Sequence, residues 1–319
     1  MAHKTSSHLP GIDGLRGIAA LVIVVYHLFC DSDNPEWRPF FNVNVLRPLH
    51  DGWVGVNLFL VLSGFCLYWP FARNSQRAFH FGEFMERRFW RIVPAYYASL
   101  VLVPAVVWLA REAHLYSGIS HSPKGLLDVI LHIFLLHSLS AESIQSWNSV
   151  TWSLGLEWTW YLFFPIAVLM FRKWGPLRTL VALLLITVTY LVSAYLVVGP
   201  TNRLSEDSGL AIRSFLPGRL FEFGLGMAVA WWTARRILSP NQTRLATVCA
   251  LLLLALGHIA TPVDPMLPVR NLIYGAAFSL LILIAAAGVE NGFSAFCERL
   301  WIRKIGGAHI VFTCSIFQQ

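Results

Sequence analysis

Eight stretches of this sequence are apolar and close to the ~20 residues that a helix needs to cross a bilayer. They fall roughly at 15–30, 53–71, 92–110, 150–171, 178–198, 211–234, 245–260 and 269–289. Hydrophobic residues make up 56% of the 319-residue chain and charged residues only 13%, which excludes a soluble domain. Since backbone polar groups must bond internally in lipid, we predict an all-α fold, a polytopic transmembrane helical bundle of about 8–10 membrane segments.

Arginines and lysines between these runs predict the orientation of the chain. Residues 72–91 hold five arginines, and basic residues also mark 172–178 and 235–236. Because cytoplasmic loops carry the excess of positive charge, these three loops are expected inside, which makes the N-terminus cytoplasmic. Loops 31–52, 199–210 and 261–269 then lie outside. The net charge of +7 fits such loops better than nucleic-acid binding, so no nucleic-acid partner is expected.

The run at 126–139 is too short to cross the bilayer once, so we interpret it as a re-entrant or surface helix. It carries His132 and His137. A spacing of five places them on different faces of a helix, which argues against a paired metal site. The chain has five cysteines, an odd number, and no CxxC motif, so neither a disulfide framework nor a zinc site is indicated.

The first run begins in LPGIDGLRGIAALVIVVYHLF, residues 9–29, and carries polar groups at unusual places. Arg16 and His27 are eleven positions apart, so they share one helix face about 16 Å apart along the axis. Asp13 lies within about 40° of that face. Such groups normally face a polar interior. The alternative is a signal-anchor helix with Arg16 as a cytoplasmic anchor and His27 at the headgroups.

Two further stretches admit a structural and a functional interpretation. In GWVGVNLFLVLSGFC, residues 52–66, the small residues favour close helix packing. In FGEFMERRFWRIVPAYY, residues 81–97, the arginines either anchor an interfacial helix or bind phosphate, for which the guanidinium fork is suited.

Two carboxylates lie within apolar runs. Glu157 shares a helix face with Ser153 and Tyr161 and should face a cavity, a cation or a histidine. Arg219 and Glu222 are three positions apart, so we expect them to pair with each other inside the bundle.

Taken together, these stretches resemble the acyltransferase-3 family of integral-membrane O-acyltransferases. The resemblance is carried by IDGLRGIAALVIVVYH, GWVGVNLFLVLSGF, RRFWRIVPAYY, WSLGLEWTWYLFFP and RLFEFGLGM, in the family's order, as one domain over 1–319.

The resemblance implies transfer of an acyl group, often acetyl, from cytoplasmic acyl-CoA to a hydroxyl of a cell-envelope carbohydrate or similar acceptor. It implies a multi-pass protein of the bacterial inner membrane, with acyl-CoA as donor substrate and no bound cofactor or metal. His27 matches the catalytic histidine, Arg16 the motif arginine and Glu157 the acidic position. Arg87, Arg88 and Arg91 match the segment associated with the donor. Either Glu157 or Asp13 would orient the imidazole, following the logic of a catalytic triad.

A proton-coupled transporter is the alternative, since buried Arg, His and Glu also line proton pathways. The sequence shows no inverted repeat, which argues against a transporter. An inactive relative is a third possibility. After WIRKIG the family's final span is absent, since Ile310 to Phe317 is only eight residues long. We therefore expect a chain that inserts but is poorly stable and weakly active.

Overall fold

The computed structural model describes residues 9–30, 52–113, 123–260, 263–264, 267–286, 292–299 and 302–303. These residues form ten α-helices and no strand. The helices are α1 (Pro10–Cys30), α2 (Val54–Arg73), α3 (Phe81–Glu112), α4 (Leu126–Ile133), α5 (Trp152–Val198), α6 (Glu206–Ser214), α7 (Leu220–Thr233), α8 (Pro240–Ile259), α9 (Val269–Ala286) and α10 (Gly292–Cys297). Six of them, α1, α2, α3, α5, α8 and α9, are long and apolar enough to span a membrane. The predicted all-α membrane bundle is confirmed.

Three of the arginine-bearing loops meet at one end of the bundle, which we call the basic end. Arg172 donates a hydrogen bond to the carbonyl oxygen of Arg77. Arg235 reaches the carbonyl oxygen of Ala72 at 3.3 Å. The prediction that these loops share one side of the membrane is therefore met by direct contacts between them.

Connections at the other end of the bundle, the opposite end, also bind one another. The hydroxyl of Thr201 donates to Asp264 at 2.6 Å, which joins the segment after α5 to the one before α9. Lys124, just before α4, lies 3.8 Å from Asp207 of α6.

The range of α5 covers two of the predicted runs. They are two helical stretches joined at Gly175, where the chain reverses direction. Gly175 has φ 74° and ψ 174°, a conformation that suits glycine. Arg172 lies at the basic end, whereas the hydroxyl of Tyr190 donates to the carbonyl of Ile212 in α6, at the opposite end, at 2.9 Å. The two halves therefore form a helical hairpin, and its two arms correspond to the predicted runs 150–171 and 178–198.

The predicted run at 211–234 is not a single helix. It is divided into the end of α6, a 3-10 turn at Leu216–Arg219 and the 14-residue α7. Pro217 lies in that turn, where it donates no backbone hydrogen bond. The division places Arg219 and Glu222 at the start of a short helix inside the bundle.

Helices α2 and α7 pack with their backbones in direct contact through glycines. A methyl group at Gly64 would overlap the carbonyl of Phe223, and one at Gly226 would overlap the carbonyl of Val61. Gly55 faces Ala19 and Ile23 of α1 in the same way. The packing role predicted for the small residues of 52–66 is therefore correct, since larger side chains would push these helices apart.

We expect Gly226→Val to lower the free energy of unfolding by more than about 3 kcal/mol, because the clash is with backbone and cannot be relieved by a rotamer change. The measurement is thermal unfolding in detergent. Gly82→Val on α3 is the matched control, because a methyl there meets nothing within 4 Å. Equal stability of the two variants would contradict the close contact.

The apolar stretch from Ile310 to Phe317 lies outside the described residues, and so does loop 31–51.

Candidate active site

Glu157 is the centre of a polar cluster between helices α1, α2, α3 and α5. Its Oε1 atom accepts hydrogen bonds from the hydroxyl of Ser63 at 2.8 Å and from the hydroxyl of Tyr161 at 2.6 Å. Tyr161 lies one turn further along α5, as predicted from the shared helix face. Ser153 does not join them, since its hydroxyl donates to the carbonyl of Val150, just before α5, at 3.5 Å.

Two arginines compensate the charge of Glu157 from different helices. Arg16 of α1 pairs with Asp13 at 3.4 Å and also interacts electrostatically with Glu157. Arg88 of α3 lies with its guanidinium carbon 5.7 Å from the ring centre of Tyr161 and within electrostatic reach of Glu157. We call Arg16, Ser63, Arg88, Glu157 and Tyr161 the Glu157 cluster. A half-buried carboxylate with two arginines within electrostatic reach is a preorganised polar site in an apolar bundle.

The three candidate donor-binding arginines of α3 have different environments. Arg87 and Arg91 are exposed, and Arg87 pairs with Glu83 at 3.4 Å where both side chains are more than half exposed. Arg88 is half-buried and turns toward the interior. It stands four residues from both Phe84 and Ile92, which are buried. Arg88 therefore shares the apolar face of α3 with Phe84 and Ile92, and this periodicity is the sequence signal that distinguishes it from Arg87 and Arg91.

His27 lies near the other end of α1 from Arg16. Its half-buried ring meets the ring of Tyr26 edge-on, with 5.1 Å between centroids. Among the described contacts of Glu157, His27 does not occur. The eleven-residue spacing leaves His27 about 16 Å from Arg16 along the helix axis. The sequence predicts that Glu157 or Asp13 orients His27. The described contacts of Glu157 are instead with Ser63 and Tyr161, and Asp13 pairs with Arg16 toward the other end of α1.

A second buried carboxylate, Glu222, lies toward the opposite end. It pairs with Arg219 at 3.1 Å, which confirms the predicted local ion pair. Asn57 of α2 donates to Glu222 at 2.6 Å and to the side-chain oxygen of Asn271 in α9 at 3.2 Å. All four side chains are buried. The network joins α2, α7 and α9, and an asparagine isolated in the apolar runs of α2 and α9 was the sequence signal for it.

The two histidines of 126–139 meet, contrary to the expectation from helix geometry. Their rings stack with centroids 4.5 Å apart. The prediction assumed a continuous helix, but α4 ends at Ile133 and Leu135 has φ 55°, which turns the chain back. Nδ1 of His132 donates to the carbonyl of Asp128 at 2.9 Å, whereas its buried Nε2 has no hydrogen-bond partner among the described residues.

His137 links the helix that carries Arg88 to the one that carries Glu157. Its Nε2 donates to the carbonyl of Thr151, at the start of α5, at 3.0 Å, and its Nδ1 accepts from the hydroxyl of Tyr96 in α3 at 3.1 Å. Burial, with the neighbouring His132, lowers the pKa of His137 to about 3. The ring is therefore neutral at pH 7 and fixes the position of α5 through one tautomer.

Comparison with known proteins identifies the family. A model of the acyltransferase domain matches residues 9–314, almost the whole chain. The chain belongs to the acyltransferase-3 family. No solved structure matches it.

Acyltransferase-3 relatives come from different organisms. YrhL of Bacillus subtilis (strain 168), which carries the provisional name of peptidoglycan O-acetyltransferase, is 29% identical over 260 residues, or 76% of this chain and 36% of the relative. Acyltransferase MdmB of Streptomyces mycarofaciens is 27% identical over 301 residues, or 89% of this chain and 72% of the relative. The peptidoglycan O-acetyltransferase OatA of Listeria monocytogenes serovar 1/2a (strain ATCC BAA-679 / EGD-e) is 27% identical over 176 residues, or 52% of this chain and 25% of the relative. The chain thus spans about a third or less of the length of YrhL and OatA.

Proposed function

We propose that this multi-pass membrane protein is an O-acyltransferase that moves an acyl group, acetyl in the first instance, from acyl-CoA to a hydroxyl of a cell-envelope carbohydrate. The observation that carries the proposal is the Glu157 cluster, which brings the arginine, acidic and basic motifs into one half-buried site between the helices. The names of YrhL and OatA support a carbohydrate acceptor.

The chemistry assigns one role to each group. His27, as a neutral imidazole, takes the proton of the acceptor hydroxyl while the hydroxyl oxygen attacks the thioester carbonyl. The carbon–sulfur bond then breaks, and the departing CoA thiolate takes up a proton. Arg16 and Arg88 lie at the donor side, about three helical turns from His27 along α1, and bind anionic groups of the donor, while the charge of Glu157 acts on both guanidinium groups.

The basic end of the bundle is the donor side in this proposal. Positive residues collect on the cytoplasmic side of cell-membrane proteins, so the N-terminus and the basic end face the cytoplasm. Arg88 is the inward-facing arginine of the donor-binding segment and meets the CoA phosphates at the mouth of the site. The thioester arm then reaches along α1 toward His27, where the acceptor enters from the other side of the membrane.

The activity is tested with membranes that contain the chain and acetyl-CoA labelled in its acetyl group. Release of the CoA thiol together with label in cell-envelope glycans is the expected result. Label in the glycans without thiol release, or no release above membranes carrying an empty vector, would contradict an acyltransferase. Substrate flux without thiol release would favour the transporter.

We expect Arg88→Gln to raise the KM for acetyl-CoA by about 10- to 100-fold, since a hydrogen bond to a charged group contributes about 1.5–3 kcal/mol. Arg87→Gln is the matched control, and its effect should stay below about twofold because exposed ion pairs contribute little. The measurement is the rate of thiol release against donor concentration. Equal KM values for the two variants would remove Arg88 from the donor site.

A further inference from the structure

A second group of arginines lies at the opposite end of the bundle, near His27. Arg213 ends α6, Arg219 lies in the following turn and Arg270 stands in the first turn of α9. Arg213 is within electrostatic reach of both other arginines and of Glu206. Three guanidinium groups so close together repel one another unless anions lie between them.

Among the described residues, no carboxylate pairs with Arg213. Glu222 is the partner of Arg219 at 3.1 Å. Glu206 acts on Arg213 only from beyond ion-pair distance, and within the described part of the chain the Arg213 side chain makes neither a hydrogen bond nor an ion pair. A half-buried guanidinium without an acceptor is costly, because its five donors lose water and gain nothing.

The contacts of α1 place this arginine group beside His27. Gly55 of α2 packs against Ala19 and Ile23, and His27 lies one helical turn beyond Ile23. Two residues before Gly55, the ring of Trp53 carries the guanidinium of Arg270 at 4.7 Å from its centre.

Arg213 approaches the same end of α1 from α6. It interacts electrostatically with Tyr26, whose ring meets that of His27. Arg213 and Arg270 are therefore both linked to the end of α1 that carries His27, Arg213 through Tyr26 and Arg270 through Trp53.

We propose that Arg213 and Arg270 form an anion-binding site that holds a carboxylate or phosphate group of the acceptor while its hydroxyl faces His27. Arginine suits this task because its planar fork binds either oxyanion through two parallel hydrogen bonds. This inference rests on the proposed function, since it names the acceptor class of that site. It restricts the acceptor to a carbohydrate with an anionic group near the accepting hydroxyl.

The test measures binding in the absence of any acyl donor, so its result does not depend on acyl transfer. The full chain, purified in neutral detergent, is titrated with methyl β-D-glucuronide, glucose 1-phosphate and neutral methyl β-D-glucoside. We expect a saturable rise in Tm with at least one of the two anionic sugars and none with the neutral one. Whichever of the two sugars raises Tm more shows whether the site prefers a carboxylate or a phosphate.

Arg213→Gln should lower the affinity for the anionic sugar at least tenfold. Arg213→Lys keeps the charge but not the planar fork, so it should lower the affinity less. Arg203→Gln, an exposed arginine at the same end, is the matched control and should bind as the unaltered chain does. Equal stabilisation by the neutral sugar would contradict the proposed anion site. A tenfold loss of affinity in Arg203→Gln as well would also contradict it.

Lipid headgroups are the other source of phosphate. The same variants are therefore compared in nanodiscs of phosphatidylcholine with and without phosphatidylglycerol. Stabilisation by phosphatidylglycerol that depends on Arg213, with no response to either anionic sugar, would overturn the acceptor assignment in favour of a lipid site. If the anionic sugars bind but no thiol is released in the transfer assay, the proposed activity fails while the anion site stands.

Discussion

Glu157→Gln is expected to unfold more readily than the unaltered chain and to transfer acyl groups more slowly. The substitution keeps a hydrogen-bond acceptor for Ser63 and Tyr161 but removes the negative charge that acts on Arg16 and Arg88. Hydrogen bonds to a charged group contribute about 1.5–3 kcal/mol, so replacing the half-buried carboxylate by a neutral amide should cost about that much. Loss of the charge beside Arg88 should also weaken donor binding, and we expect the rate of transfer below the KM for acetyl-CoA to fall by about 10-fold or more.

The measurements are thermal unfolding in detergent and initial rates of acyl transfer. Tyr161→Phe removes one hydrogen bond and no charge, so its cost should be near 1 kcal/mol. Glu142→Gln, at an exposed position, is the control for the substitution itself and should behave as the unaltered chain. If Glu157→Gln were no less stable than Tyr161→Phe, the negative charge of Glu157 near Arg16 and Arg88 would not stabilise the fold.

His27→Ala should reduce acyl transfer by about 100- to 10,000-fold, the usual contribution of a general base. The half-buried ring is near the end of α1, so its removal should change Tm little. His80→Ala, exposed in the loop before α3, controls for the loss of a histidine. The decisive comparison is the transfer rate at saturating acetyl-CoA. Turnover within a few-fold of the unaltered chain would show that another group takes the proton.

Local pairs could be predicted from the sequence, and distant ones could not. Arg219 and Glu222 lie on the same helix turn, so their spacing alone determined the contact. The bond between Ser63 and Glu157 joins positions 94 residues apart, and it depends on which helices become neighbours. Helical periodicity gives the face of a side chain and not the helix that it faces.

The end of a helix was the other source of error. The spacing of His132 and His137 predicts different faces only if the apolar run forms one continuous helix. Leu135 in the left-handed region interrupts that helix and brings the rings together. A leucine is rarely found in that conformation, so no sequence signal marked the turn. Gly175 followed by Pro176 was a clearer signal, and there the two predicted spans are separate arms of the hairpin.

Helix α2 donates hydrogen bonds to both interior carboxylates, to Glu222 through Asn57 and to Glu157 through Ser63. These two positions on α2 are six residues apart, so their side chains point about 120° apart around the helix axis. The two bonds together fix the rotation of α2 about its own axis. A single helix thus supports the Glu157 cluster at the donor side and the Glu222 network at the acceptor side, and its rotation would change the hydrogen-bond geometry at both.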